Sequence, residues 1–76
     1  MITVKLFGLL RLESGIREKQ LPAATVKEVL QHLVRCGISA KDLDSCVILV
    51  NGKNASKRSK LTDGDTVVLM SPVAGG

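Results

Sequence analysis

The sequence predicts an α+β domain in which one main helix packs across a small mixed sheet of four to five strands. Three observations lead there. Residues Ile2 to Leu6 alternate apolar and polar side chains with the two-residue period of a strand. Val26, Val29, Leu30, Leu33 and Val34 recur at three- and four-residue spacing, which lays one apolar stripe along a helix. Two β-rich runs, Cys46 to Val50 and Thr66 to Met70, follow it. Strands before and after a single helix in so short a chain bury their apolar faces most simply as helix against sheet.

A chain of 76 residues is one domain, and at that length it buries only roughly 60% of the surface its unfolded form exposes. Its core must therefore be efficient. Hydrophobic residues make up 45% of the chain and are almost all aliphatic, with Phe7 the sole aromatic, so Val, Leu and Ile must interdigitate. No apolar run reaches membrane-spanning length, and the first residues carry no basic stretch followed by an apolar segment and a cleavage site. The expectation is a soluble cytoplasmic protein with no membrane partner. The net charge is +4, with Lys53, Lys57, Arg58 and Lys60 close together. No aromatic side chain is interleaved with them for a base to stack on, so a solvated loop is favoured over a nucleic-acid site.

In the first strand Ile2, Val4 and Leu6 should face the core. If the strand runs on, Phe7 lies on the opposite face, as a candidate partner contact or as a side chain covered by the next loop. Gly8 to Gly15 breaks the alternation, and its Leu9, Leu10 and Leu12 around Arg11 suggest a loop with a helical turn. Ile16 to Leu21 returns as the second strand of a hairpin; its polar middle, Arg17, Glu18 and Lys19, marks an edge. Thr25-Val26-Lys27-Glu28 is a capping box, in which Thr25 and Glu28 satisfy each other's free backbone donors and start the helix. Gly37 stops it.

Ser39 to Asp44 is polar and irregular, with room for one helical turn, and the nearly continuous apolar run Cys46 to Val50 then reads as a central strand. Asn51-Gly52 tolerates the positive φ of a type I′ turn and leads to a short strand at Lys53 to Ala55. After the basic loop and Leu61, Thr62-Asp63-Gly64-Asp65 turns the chain into the last strand, Thr66 to Met70. Pro72 cannot donate to a sheet ladder and marks where a tail begins. The expected organisation is a domain over residues 1–71 and a flexible tail over 72–76.

Cys36 and Cys46 are too few and too widely spaced for a zinc quartet, and no metal site is expected. Free thiols, favoured over a disulfide that the spacing also allows, fit a reducing compartment. His32 and Cys36 lie four apart on the helix, a spacing available to a Cys-His nucleophile. No accompanying cleft or oxyanion site is suggested, so a packed thiol and a surface imidazole are expected instead.

Phe7-Gly8-Leu9-Leu10-Arg11, Val50-Asn51-Gly52, Leu61-Thr62-Asp63-Gly64-Asp65-Thr66-Val67 and the ending Pro72-Val73-Ala74-Gly75-Gly76 occur in that order. Together they resemble the MoaD/ThiS family of ubiquitin-like sulfur carriers along the whole chain, closest to the molybdopterin synthase small subunit through the Phe-x-x-Leu-Arg segment. Ser71 departs from the further proline of many members. The resemblance implies a β-grasp fold and a protein that is not an enzyme but the substrate of one. Its terminal Gly76 would be the reactive residue, adenylated and converted to a thiocarboxylate. Pro72, Val73, Ala74 and Gly75 would be the tail inserted into a partner.

A residue without a side chain passes along a channel that stops any Cβ-bearing chain, which suits Gly75 and Gly76 to such insertion. The tail has five residues and spans roughly 16 Å when extended. The sequence has no GxxxxGKS/T phosphate loop and no dinucleotide fingerprint, so no cofactor is expected to bind and ATP falls to a partner. The implied partners are a ubiquitin-activating-type adenylyltransferase, a persulfide sulfur donor and a molybdopterin synthase large subunit, with sulfur passing to molybdopterin. A thiamine-pathway carrier and a protein modifier share this chemistry. A non-catalytic ubiquitin-like interaction module is a different class, and a nucleic-acid binder is the weakest alternative.

Overall fold

In the computed structural model of the chain, residues 1–71 are described, and the expected tail, Pro72 to Gly76, lies outside them. The elements in order are β1 (Ile2–Phe7), α1 (Leu9–Ser14), β2 (Glu18–Leu21), α2 (Val26–Arg35), α3 (Ala40–Asp44), β3 (Val47–Val50), β4 (Lys53–Asn54) and β5 (Thr66–Met70). The strands form one sheet in the order β2-β1-β5-β3-β4. β1 and β5 run parallel, while the β1–β2, β3–β5 and β3–β4 pairs are antiparallel. This is the mixed sheet with one main helix that the sequence predicts.

The alternation in β1 decides which face is covered. Ile2, Val4 and Leu6, with Val67 and Leu69 of β5 and Leu21 of β2, bury against Val26, Val29, Leu30 and Leu33 of α2. Leu10, Ile38, Leu43 and Leu61 close the margins of this aliphatic core. Val34, expected in the helical stripe, is exposed instead, because it stands beside the groove between α2 and α3 rather than over the sheet.

Both ends of α2 are secured. Thr25 Oγ1 accepts from the Glu28 amide at 3.3 Å. The reciprocal half of the expected box is displaced by one residue, because Glu28 Oε1 accepts from the Ala24 amide at 3.0 Å. The loop bearing the basic cluster supplies further acceptors, with the Val26 amide donating to the Ser59 carbonyl and the Lys27 amide to the Lys57 carbonyl. At the other end Gly37 takes φ 100. The Gly37 amide donates to Val34 O and the Ile38 amide to Leu33 O, a Schellman stop with Ile38 packed into the core.

β3 is an interior strand, as expected, flanked by β5 and β4, but it is not the middle one of the five. That place belongs to β5, because it pairs with β1 on one side and β3 on the other. The apolar run of β3 is divided between two faces: Ile48 and Val50 pack against the core, whereas Val47 is exposed. At the end of β3, Asn51 (φ 51) and Gly52 (φ 82) make the expected positive-φ turn into the short β4.

Candidate functional site

The face of the sheet away from α2 carries the site. In register, Phe7 of β1 pairs with Met70 of β5, and Met70 pairs with Val47 of β3. The three side chains therefore form a row across three strands, with relative exposures of 39%, 37% and 45%. One step along the same face, Lys5 pairs with Val68 and Val68 with Leu49. Apolar groups standing open to water in a continuous row suit a partner's surface better than they suit solvent.

The last described residue is fastened to this corner. Gly8, which precedes α1, has φ 67 and ψ −141 and no side chain to cap the helix. Ser71 caps it from 62 residues away: its Oγ accepts from the Leu9 amide at 2.6 Å and from the Leu10 amide at 3.4 Å. The approach is close enough that a Cβ on Gly8 would stand 2.7 Å from Ser71 Oγ and 3.0 Å from its carbonyl oxygen. The C-terminal segment therefore starts between Phe7 and Leu9, the second of which is also exposed.

Cations flank the row. Lys5, Arg11 and Arg17 line an open pocket of about 380 Å³ with Leu6, Phe7 and Glu18. Lys5 and Glu18 are register partners, 4.0 Å apart and both well exposed, a geometry that contributes little to stability. Arg11 and Arg17 form no ion pair among the described residues, so the pocket is a place where a partner's carboxylates would be met by charge.

Neither cysteine is part of the row, although Cys46 directly precedes Val47. Cys46 donates to the Leu43 carbonyl at 2.9 Å, and burial pushes its thiol pKa up, which suppresses the thiolate. Cys36 is exposed rather than packed as expected, because it caps the end of α2, where its Sγ lies 3.1 Å from Lys19 Nζ. His32 contributes its carbonyl to the Cys36 amide, and the two side chains are not joined by a hydrogen bond. Both cysteines are free.

Of the residues singled out in the sequence, Phe7 is described and open, while Pro72, Val73, Ala74, Gly75 and Gly76 lie outside the described residues. Sequence reasoning missed Met70 and Val47, whose alignment with Phe7 depends on strand order, and Ser71, whose hydroxyl acts on residues distant in the chain. The signal for the first two was present: β3 is apolar at every position, more than one buried face requires.

A mixed sheet crossed by one main helix, with an apolar open face beside the root of the C-terminal segment, defines a ubiquitin-like β-grasp domain. The ThiS family model matches residues 4–76, and the chain belongs to that family of ubiquitin-like sulfur carriers. SAMP1 from Haloferax volcanii is 28% identical over 99% of this chain and 98% of its own, with a TM-score of 0.86. The small archaeal modifier protein 1 from Methanosarcina acetivorans is 27% identical over 99% and 95%, with a TM-score of 0.80. A chain of the complex of subunits 1 and 2 of the molybdopterin-converting factor from Helicobacter pylori is 26% identical over 99% and 97%, with a TM-score of 0.75. No curated protein matches the chain. Among the described residues no helix is long and apolar enough to cross a membrane.

Proposed function

We propose that this chain carries sulfur on the carboxyl group of Gly76 for molybdopterin synthesis. A carboxylate oxygen is a poor leaving group, so the carboxylate first attacks the α-phosphorus of ATP, releasing pyrophosphate and forming an acyl adenylate. A ubiquitin-activating-type adenylyltransferase supplies that step, and the chain is its substrate rather than an enzyme. The terminal sulfur of a donor's persulfide then attacks the acyl carbon and AMP leaves. A thiol breaks the resulting sulfur–sulfur bond, reducing it and leaving a thiocarboxylate on Gly76. The thiocarboxylate passes its sulfur to a pterin precursor held by a synthase large subunit. Gly75, Ala74, Val73 and Pro72 serve as the slender lead that enters each partner.

The observation that carries this reading is the apolar row Phe7–Met70–Val47 at the point where the C-terminal segment leaves the domain. A partner that grips the row has the segment beside it. The two-subunit complex among the similar structures supports a synthase partner, and the free thiols fit cytoplasmic conditions. Intact-mass measurement after incubation with ATP, the activating enzyme and a sulfur donor should show exchange of one oxygen for sulfur at Gly76. An unchanged mass with every partner active sinks the carrier reading.

The likeness to archaeal modifier proteins favours a second reading, in which the activated Gly76 is joined to lysine side chains of other proteins. Appearance of higher-mass adducts that depend on target lysines, without sulfur transfer to a pterin, would select it.

A further inference from the structure

We propose that Ser71 is a positioning residue: by holding the Leu9 and Leu10 amides, its hydroxyl fixes where the C-terminal segment departs, so that a partner seated on Phe7, Leu9 and Met70 meets that segment at a set place. The role rests on the carrier reading above. Among the described residues the sheet ladder ends at Met70, whose neighbours are Phe7 and Val47. Ser71, one residue beyond that position, is held by the hydrogen bonds at 2.6 Å and 3.4 Å rather than by strand pairing. Ser71 is itself largely buried. The following Pro72 adds a second restraint, because a residue before proline is confined to extended backbone.

Both partners of the clasp are shaped for it. Gly8 leaves the space that Ser71 Oγ fills, since any side chain there would overlap it. The Leu9 and Leu10 amides open α1 and have no partner inside the helix, so they are donors in want of an acceptor. A hydroxyl arriving from the end of β5 satisfies them and couples the β1–α1 corner to the outgoing chain. Freeing the root would let the segment sample more directions, and that entropy would be lost again on insertion into a partner.

The test uses the full chain with Ser71→Ala and Ser71→Thr. Amide hydrogen exchange on the protein alone should quicken at Leu9 in the alanine variant, stay protected in the threonine variant, and stay slow at the central amides of β5 in both. With an activating enzyme that accepts the wild-type chain, Ser71→Ala should raise KM for the carrier about five- to tenfold, the weight of one ordinary hydrogen bond, and leave kcat within about twofold. Threonine, which keeps the hydroxyl, should restore KM. Unchanged exchange at Leu9 overturns the clasp. Quickened exchange with unchanged KM, or a threonine variant no better than alanine, overturns the positioning role. A wild-type chain that no activating enzyme adenylates overturns the carrier reading, and the role of Ser71 with it; the exchange measurement distinguishes that outcome from failure of the clasp.

Discussion

Replacing Gly8 by alanine should be the most damaging small substitution at this corner. Gly8 sits at φ 67, ψ −141, a region that side chains avoid, and occupying it costs a residue with a Cβ about 1–3 kcal/mol. The new methyl would stand 2.7 Å from Ser71 Oγ, too close to leave that hydroxyl where it accepts from Leu9. Losing the hydrogen bond adds about 1 kcal/mol. The sum is about 2–4 kcal/mol, a large share of the roughly 4–11 kcal/mol that a domain of this length possesses.

Gly15 provides the control. Its φ of 73 is also positive, but a Cβ there meets nothing within 4 Å, so Gly15→Ala should cost only the backbone strain, about 1 kcal/mol. Urea denaturation of both variants reads the difference. With a slope of about 1 kcal/mol per molar, Gly8→Ala should lower the midpoint by about 2–4 M and Gly15→Ala by about 1 M. Combining Gly8→Ala with Ser71→Ala should cost less than the two single changes summed, because both remove the same contact. Equal midpoints for Gly8→Ala and Gly15→Ala, or strict additivity in the double variant, would refute the reasoning.

Thr25→Ala should cost about 1 kcal/mol through the lost cap of α2, and an unmoved denaturation midpoint counts against it. Asp42 raises the Glu13 pKa above its ordinary value, first by hydrogen bonding that favours the protonated carboxyl and then by repulsion between the two carboxylates. The folded state therefore holds a proton the unfolded state gives up, stability falls as pH rises through that window, and Glu13→Gln should raise the midpoint at pH 7 while changing little in acid. Asp65 is the opposite case: the Thr62 amide and then the Asn51 side chain lower its pKa, so its contribution is present at neutral pH and lost as pH falls below the usual aspartate range. Asp65→Asn should weaken the fold at pH 7 and converge with wild type in acid; parallel pH profiles argue against it. Val47→Lys should leave the denaturation midpoint nearly unmoved, as expected of an exposed site, yet raise KM with the activating enzyme, and an unaltered KM would remove Val47 from the partner surface.

The fold was readable where side-chain period and turn chemistry agree. Ile2, Val4 and Leu6 alternate cleanly into the core, Thr25 and Gly37 bracket α2, and Asn51-Gly52 turns β3 into β4. Val34 misled because helical spacing shows which side chains share a stripe but not how wide the covering sheet is. The run at Val47 misled similarly: an uninterrupted apolar strand is consistent with burial on two faces, and equally with one face kept for a partner. Cys36 resembled a core thiol by residue type alone, but its place at the end of α2 leaves it open. In the candidate site, the terminal glycines and Phe7 were visible as residue types, whereas the contribution of Ser71 depends on a contact spanning 62 positions.

Strand direction explains why these distant pieces meet. Because β5 runs parallel to β1, the end of β5 emerges beside the end of β1, so Met70 and Ser71 necessarily arrive next to Phe7, Gly8 and Leu9. β3 runs antiparallel to β5, which brings its first residue, Val47, rather than its last, to the same corner. β2 runs antiparallel to β1 and begins there too, adding Arg17 and Glu18 to the rim. An antiparallel β5 would instead release the C-terminal segment at the opposite end of the sheet, beside Met1. β4 leaves from Val50 and runs back along β3, with the Ala55 amide donating to the Ile48 carbonyl, and the loop after it docks its carbonyls on the first amides of α2. Lys57 is paired with Asp44 in that region. The most concentrated positive charge in the sequence is thus tied to holding the helix. Because the loop's backbone carbonyls, not its charges, hold α2, loop variants that remove charge should leave adenylation intact, whereas changes in the row should not.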